Sequence, residues 1–376
     1  MRGEGFRIGR IFGIPILLHS SWFLVFLLIT YSFVTQLQAR HLNLLPGLFW
    51  GLGLFMSMLF FGSLVFHEMA HSLVARYYKI PVVSITLFVF GGVARIGRDP
   101  SRALEEFNIA VAGPISSFLL AAGFWTISRA APSNPELYAV TGSLAWINLS
   151  LAVFNLIPGF PLDGGRIFRA IVWAITKNYV RATRIAGLAG QTIAFAMIGM
   201  GFAIVVGRVP GGAIGGLWIA FIGWFLLTAA RQSQAHVEMK SALEPLQVSD
   251  IMTGDLPLVG REISLEDYAR EVSEGRHAHL VVAGDQLVGL MTAEKLQAVP
   301  REEWDVTSVQ AVMVPKERLQ WAAPEEPALS LLERMQRIGL QQIPVISAGS
   351  VVGLVTRDSI LRVLQGRQEL RPATGR

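Results

Sequence analysis

Six long apolar stretches, broken by short polar ones, dominate the first 230 residues. They run over about 14–35, 48–75, 106–127, 137–157, 185–206 and 213–230. A helix needs roughly 20 apolar residues to cross the hydrocarbon of a bilayer, so this pattern predicts six transmembrane helices. The run from Ile14 to Phe33, preceded by Arg2, Arg7 and Arg10, is too long for a cleaved signal segment and predicts a retained first span. Between the second and third stretches the period changes. From Val82 to Ile96, β-branched and aromatic residues flank Gly91-Gly92, which predicts a β-hairpin at the membrane with an exposed sheet edge.

After Lys240 the long apolar runs end and charge rises. Ser249-Asp250-Ile251-Met252-Thr253 parallels Val309-Gln310-Ala311-Val312-Met313, and Gly289-Leu290-Met291-Thr292 parallels Gly353-Leu354-Val355-Thr356. A period near 60 residues predicts two copies of one small α/β module. The expected organisation is a membrane domain over 1–232, a linker over 233–245, paired modules over 246–300 and 306–366, and a flexible tail over 367–376.

Composition sharpens this picture. Hydrophobic residues make up 52% of the 376, charged residues 16%, and the mean hydropathy is +0.48, more apolar than a soluble chain of this length requires. There is no cysteine, so disulfides and thiolate metal sites are excluded, and any zinc must use His, Asp or Glu. The net charge of +5 comes without an aromatic-interleaved basic run, which argues against nucleic acid as a partner. Most loop arginines and lysines fall on one side of the six stretches. By the positive-inside rule both termini face the cytoplasm of a multi-pass cell-membrane protein.

The candidate chemistry lies inside the grease. His67-Glu68-x-x-His71 puts two imidazoles on one helical face, with Glu68 beside them as a candidate general base. The nine residues from His67 to Arg76 set that face about 13 Å below a charged edge. Ionisable groups at membrane depth are functional candidates by default. The fourth stretch ends in Asn155-Leu156-Ile157-Pro158-Gly159-Phe160-Pro161-Leu162-Asp163-Gly164-Gly165, irregular backbone that lipid tolerates only when it is buried in protein or lines a wet cavity. Asp163 is the carboxylate there, and His67, His71 and Asp163 would leave one open position on a four-coordinate zinc. Glu105 and Glu106 read as a solvated helix start, and Ala112-Gly113-Pro114 as helix packing. His19 reads as packed, while His236, His277 and His279 show no metal spacing.

The two membrane motifs together resemble the site-2 protease family of intramembrane zinc metalloproteases, over residues 1 to about 230. The tail resembles a tandem pair of cystathionine-β-synthase (CBS) domains. The resemblance implies His67, His71 and Asp163 as zinc ligands, Glu68 as the catalytic carboxylate and Asn155 as a substrate contact. It also implies that the segment at Gly91-Gly92 grips an unwound substrate. The expected substrate is a single-span membrane protein, for example a tethered regulator such as an anti-sigma factor, cut in regulated intramembrane proteolysis. For the CBS pair the resemblance implies adenine-nucleotide binding at Thr292, Thr356 and Asp358. Here Lys295 and Ser359 stand where such modules carry the ribose-holding aspartate, with Glu294 and Asp358 one residue early. A purely structural pair, or one that forms a homodimer, is therefore the alternative. A rival reading of the whole chain is a CBS-gated divalent cation transporter or channel using the same His, Glu and Asp. No inverted repeat among the six stretches supports it.

Overall fold

The computed structural model describes residues 5–40, 42, 44–89, 91–254, 256, 258–271, 278–284, 286–347 and 350–369. Phe90, His277 and residues 370–376 of the expected tail lie outside them. The chain forms two compact units, Met1–Val237 and Glu238–Arg376.

The first unit opens with strands, not with a span. β1 (Gly5–Ile11) turns through Phe12 and Gly13, both at positive φ, into the antiparallel β2 (Ile14–His19). A two-residue turn of that hand matches strand twist, and Ile14, Ile16 and Leu18 are buried at period two. The first membrane helix, α1 (Ser20–Gln38), therefore starts six residues later than the apolar run suggests. His19 caps it, its Nδ1 accepting the Ser21 N–H at 3.2 Å. A continuous apolar run conceals such a break because a buried strand and a buried helix look alike in it.

After α2 (Pro46–Tyr77), β3 (Val82–Phe88) pairs in parallel with β2, and β4 (Gly91–Ile96) returns antiparallel along β3. The expected hairpin is thus half of a four-stranded sheet in the order β1-β2-β3-β4, with β4 at an edge. The sheet buries Ile14, Ile16 and Ile85 on Met69 of α2, which pins it beside the His67–His71 turn.

Helices α3 (Ala103–Ala130) and α4 (Pro135–Asn155) pack on each other and on α2, burying small residues such as Ala110, Ser117, Ala121 and Ala145. In lipid, such residues let helix backbones come close. The irregular loop 156–162 then leads into α5 (Asp163–Thr176), 14 residues and too short to span. The sequence pattern did not show this helix, because Gly164-Gly165 reads as a breaker. In the fold both glycines answer to crowding: a Cβ on Gly164 would overlap the Leu156 and Ile157 carbonyl oxygens, and one on Gly165 the Gly159–Phe160 backbone. Two more helices, α6 (Tyr179–Val205) and α7 (Gly212–Leu243), pack through Gly201 on Gly216 and Ala220. Among the described residues, α1, α2, α3, α4, α6 and α7 are the six helices long and apolar enough to cross a membrane. Residues 233–243, read from the sequence as linker, are the last turns of α7.

The second unit is the α/β pair. It begins with α8 (Val248–Ile251), β5 (Leu258–Gly260) and α9 (Leu265–Glu271). β6 (Ala278–Ala283), β7 (Gln286–Thr292) and α10 (Ala293–Gln297) complete the first module. α11 (Val309–Val312), β8 (Val314–Pro315), α12 (Ala328–Ile338), β9 (Gln342–Ser347), β10 (Ser350–Thr356) and α13 (Arg357–Glu369) follow. The modules exchange their leading segments. Leu246, Val248 and Ile251 are buried with Leu331, Met335, Val345 and Val355 of the second module, while Val309 is buried with Val259, Tyr268, Val281 and Met291 of the first. Met252 covers Gly353, and Met313 covers Gly289, at equivalent places. His279 is buried in the first module with its Nδ1 3.0 Å from the Tyr268 hydroxyl, and burial pushes that phenol up to about 12. Because of the exchange, Ile251→Ala leaves its cavity in the second module. We expect a loss of about 2–5 kcal/mol there, read as lost amide-exchange protection in β9 and β10, with β6 and β7 less affected.

Candidate metal and catalytic centre

The helical period of α2 places the buried His67 and His71 on one face, their Nε2 atoms 3.2 Å apart. Asp163, the first residue of α5, brings Oδ2 to 3.1 Å from each. Behind the rings, the Nδ1 of His71 donates to the Ile109 carbonyl at 2.6 Å. A carbonyl only accepts, so that nitrogen carries the ring proton and Nε2 offers a lone pair. The Nδ1 of His67 lies 2.9 Å from the Ser117 hydroxyl, which can hold it in the same tautomer. With both rings in that tautomer, two imidazole lone pairs and a carboxylate oxygen converge on one point, as ligands to a cation do. Two nitrogens and one oxygen with a side open to a cavity suit zinc. Among the described residues this is the one group of three His, Cys, Asp or Glu side chains that could hold an ion.

Helix α3 frames the centre. Gly113 lies between Ile109 and Ser117 at four-residue spacing, and a Cβ there would overlap both Nε2 atoms. Glu68 lies on the strand side of the pair. Its Oε2 accepts the Ala94 N–H of β4 at 3.1 Å, and a Cβ on Gly92 would come within 2.5 Å of its Cγ. A cavity of about 240 Å³ is lined by His67, Glu68, His71, Gly91, Gly92, Asn155, Asp163 and Arg166. Every site candidate from the membrane motifs therefore meets in one place.

The C-terminal candidates have other work in the fold. Thr292 caps α10, accepting the Lys295 N–H at 3.3 Å. Thr356 and Ser359 form a reciprocal cap on α13: the Thr356 hydroxyl accepts the Ser359 N–H at 3.0 Å, and Ser359 accepts the Thr356 N–H at 3.1 Å. Asp358 is exposed.

Glu105 and Glu106 part company. Glu105 accepts the Ser101 N–H at 2.9 Å and is a helix start as expected. Glu106 corrects the reading of a solvated residue: it is fully buried, and its Oε1 accepts from Arg169 of α5 through Nε at 2.9 Å and through NH2. Arg169, Ser117 and Gly113 carry parts of this centre that sequence reasoning missed. The available signal was the spacing of Glu106, Ile109, Gly113 and Ser117, in steps of three, four and four along one helical face.

Fold and centre together define a polytopic membrane protein built around a metallohydrolase site. The family model for Peptidase family M50 matches residues 55–133 and 129–199, and that for the CBS domain matches 309–366. The Synechocystis sp. protein sll0528 is 34% identical over 96% of this chain and 95% of its own length. Zinc metalloprotease MJ0392 of Methanocaldococcus jannaschii is 27% identical over 97% of this chain and 98% of its own. The solved Site-2 Protease from Methanocaldococcus jannaschii is 31% identical, covering 61% of this chain and 95% of that one at a TM-score of 0.44. The chain belongs to the M50 peptidases, zinc metalloproteases of the site-2 protease type, with a C-terminal CBS domain.

The Gly113 clearance has a direct consequence. Gly113→Ala should leave the chain in the membrane and helical by circular dichroism, yet cut zinc bound after desalting to less than about a tenth of wild type, since removing nearby supports of a metal site costs about 10–100-fold in affinity. Full zinc content in that variant would contradict the placement of α3.

Proposed function

We propose that this protein hydrolyses peptide bonds within or next to the membrane-spanning segment of a tethered protein, with zinc held by His67, His71 and Asp163. The observation that carries this reading is that Glu68, the three candidate ligand atoms and the free edge of β4 share one cavity. Ala94 pairs with Ile85 in the sheet, and its N–H turns the other way, toward Glu68. The outer edge of β4 thus faces the chemistry. A peptide bond inside a helix is shielded by its own hydrogen bonds. A substrate that unwinds and adds to β4 replaces those bonds, in a setting where unpaired backbone is costly.

Bound at this site, zinc supplies Lewis acidity toward a water molecule and a peptide carbonyl. Glu68 takes a proton from the attacking water and passes it to the leaving amine nitrogen as the C–N bond breaks. Asn155, at the end of α4 on the cavity wall, can donate its side-chain amide to the carbonyl oxygen as charge grows there. The hydrogen bond from His71 to the Ile109 carbonyl, and that between His67 and Ser117, can hold the two imidazoles in one tautomer. His67 is ten residues from the end of α2, about 15 Å along the axis. With the loop charges oriented positive-inside, that end and both termini face the cytoplasm. The substrate class that fits is a single-span membrane protein, a tethered regulator such as an anti-sigma factor among them.

For the CBS pair we favour a structural or dimerising role over adenine-nucleotide sensing, because Thr292 and Thr356 spend their hydroxyls on capping α10 and α13. A thermal shift of the full-length protein with ATP, ADP or AMP would reverse that preference; none is expected.

Glu68→Gln separates the protease reading from an ion-transport one. It should bind zinc as wild type does while cleaving a co-expressed tethered reporter at least about 10²-fold more slowly. If Glu68→Gln and His67→Ala both still cleave, the protease reading fails. Zinc flux in sealed vesicles without cleavage would favour transport instead.

A further inference from the structure

We infer that the buried Glu106–Arg169 pair is a positioning clamp that sets Asp163 against His67 and His71. The inference rests on the metal reading proposed above and concerns how the third ligand is held. Among the described residues, the Asp163 side chain has polar contacts with the two histidine nitrogens alone. Its carboxylate has no N–H of its own helix or loop to fix it. The place of Oδ2 is therefore inherited from the backbone of α5. The Gly164-Gly165 seat against the loop 156–160 holds its start, and beyond that Arg169, six residues on from Asp163, donates to Glu106, with Arg166 Nε 4.0 Å from the same oxygen.

Arg169 joins four segments. Its guanidinium donates to Glu106 of α3, lies 4.8 Å from the ring centroids of both Phe160 and Tyr179, and reaches Thr183 Oγ1 at 3.5 Å. Phe160 belongs to the loop that delivers Asp163, while Tyr179 and Thr183 belong to α6. Two charges taken out of water are costly, and a buried ion pair is often replaced by packed apolar residues without loss of stability. Stability alone is then a weak reason for an ion pair here. Direction is the better one: a planar guanidinium whose Nε and NH2 both converge on Glu106 Oε1, and which also lies against two rings, admits a narrow range of helix positions. The carboxylate it meets belongs to the same stripe of α3 as Ile109 and Ser117, which hold the two histidines. One helix thus references all three ligands, two directly and the third through the clamp.

The test compares zinc binding with fold stability in the full-length protein in detergent. Glu106→Met with Arg169→Met removes both charges and keeps the volume apolar. We expect a thermal midpoint for the metal-free protein at or above that of wild type, and a zinc dissociation constant raised about 10–100-fold by chelator competition. The visible bands of the cobalt-loaded protein should also shift, because the ligand geometry changes. Arg169→Lys keeps the charge but loses the fork and should weaken zinc at least about ten-fold; it decides the question if the double variant does not fold. Wild-type zinc affinity with an unchanged cobalt spectrum in either folded variant overturns the clamp. The metal reading is checked separately: if wild type binds no zinc, or Asp163→Asn binds it as tightly, that reading falls and takes the clamp with it.

Discussion

Three acceptor atoms, two imidazole nitrogens and a carboxylate oxygen, stand 3.1–3.2 Å apart in a buried, apolar part of the chain. Left to themselves they repel, and the surrounding low dielectric gives that repulsion little screening. Much of the first unit can be understood as scaffolding for this unfavourable meeting. α2 supplies two of the atoms by helical period, and α5 brings the third across the cavity. α3 orients the histidine rings and, by carrying glycine where a methyl group would collide, leaves room for the convergence.

A second demand comes from the membrane. The hydrolysis proposed above would need water and an extended peptide at a depth where unpaired backbone groups are expensive. The fold meets it by building a sheet beside the helices, with β4 left at an edge over the cavity. Irregular backbone is confined to the loop 156–162, which lines that cavity and is packed against Gly164, Gly165 and Gly190. The N–H of Ala94, on the free edge, is already engaged by Glu68. A substrate strand adding at this edge, as proposed above, would compete with Glu68 for that group.

The second unit meets a simpler demand. Each α/β module is too small to bury its own face, and the pair closes both faces by trading leading segments. Met252 over Gly353 and Met313 over Gly289 stand at equivalent places in this interlock, and Thr292 and Thr356 cap the closing helix of each module.

How much of this could be read beforehand follows the range of each interaction. Spans, the His67-Glu68-x-x-His71 face, the β3–β4 hairpin and the duplicated tail are local or periodic, so composition and spacing revealed them. Asp163 was legible because a polar residue among prolines and glycines at membrane depth needs a reason. The N-terminal strands were not, since an unbroken apolar run looks the same whether its hydrogen bonds go to a neighbouring strand or along a helix. Nor was α5, whose glycines serve close approach instead of breaking the helix. Glu106 was read as solvated because its partner lies 63 residues away. The sequence by itself determined which side chains could perform the chemistry. Only the tertiary structure decided that α3 holds them, because those contacts pair residues distant in the chain, and some involve a bare backbone carbonyl or the absence of a side chain.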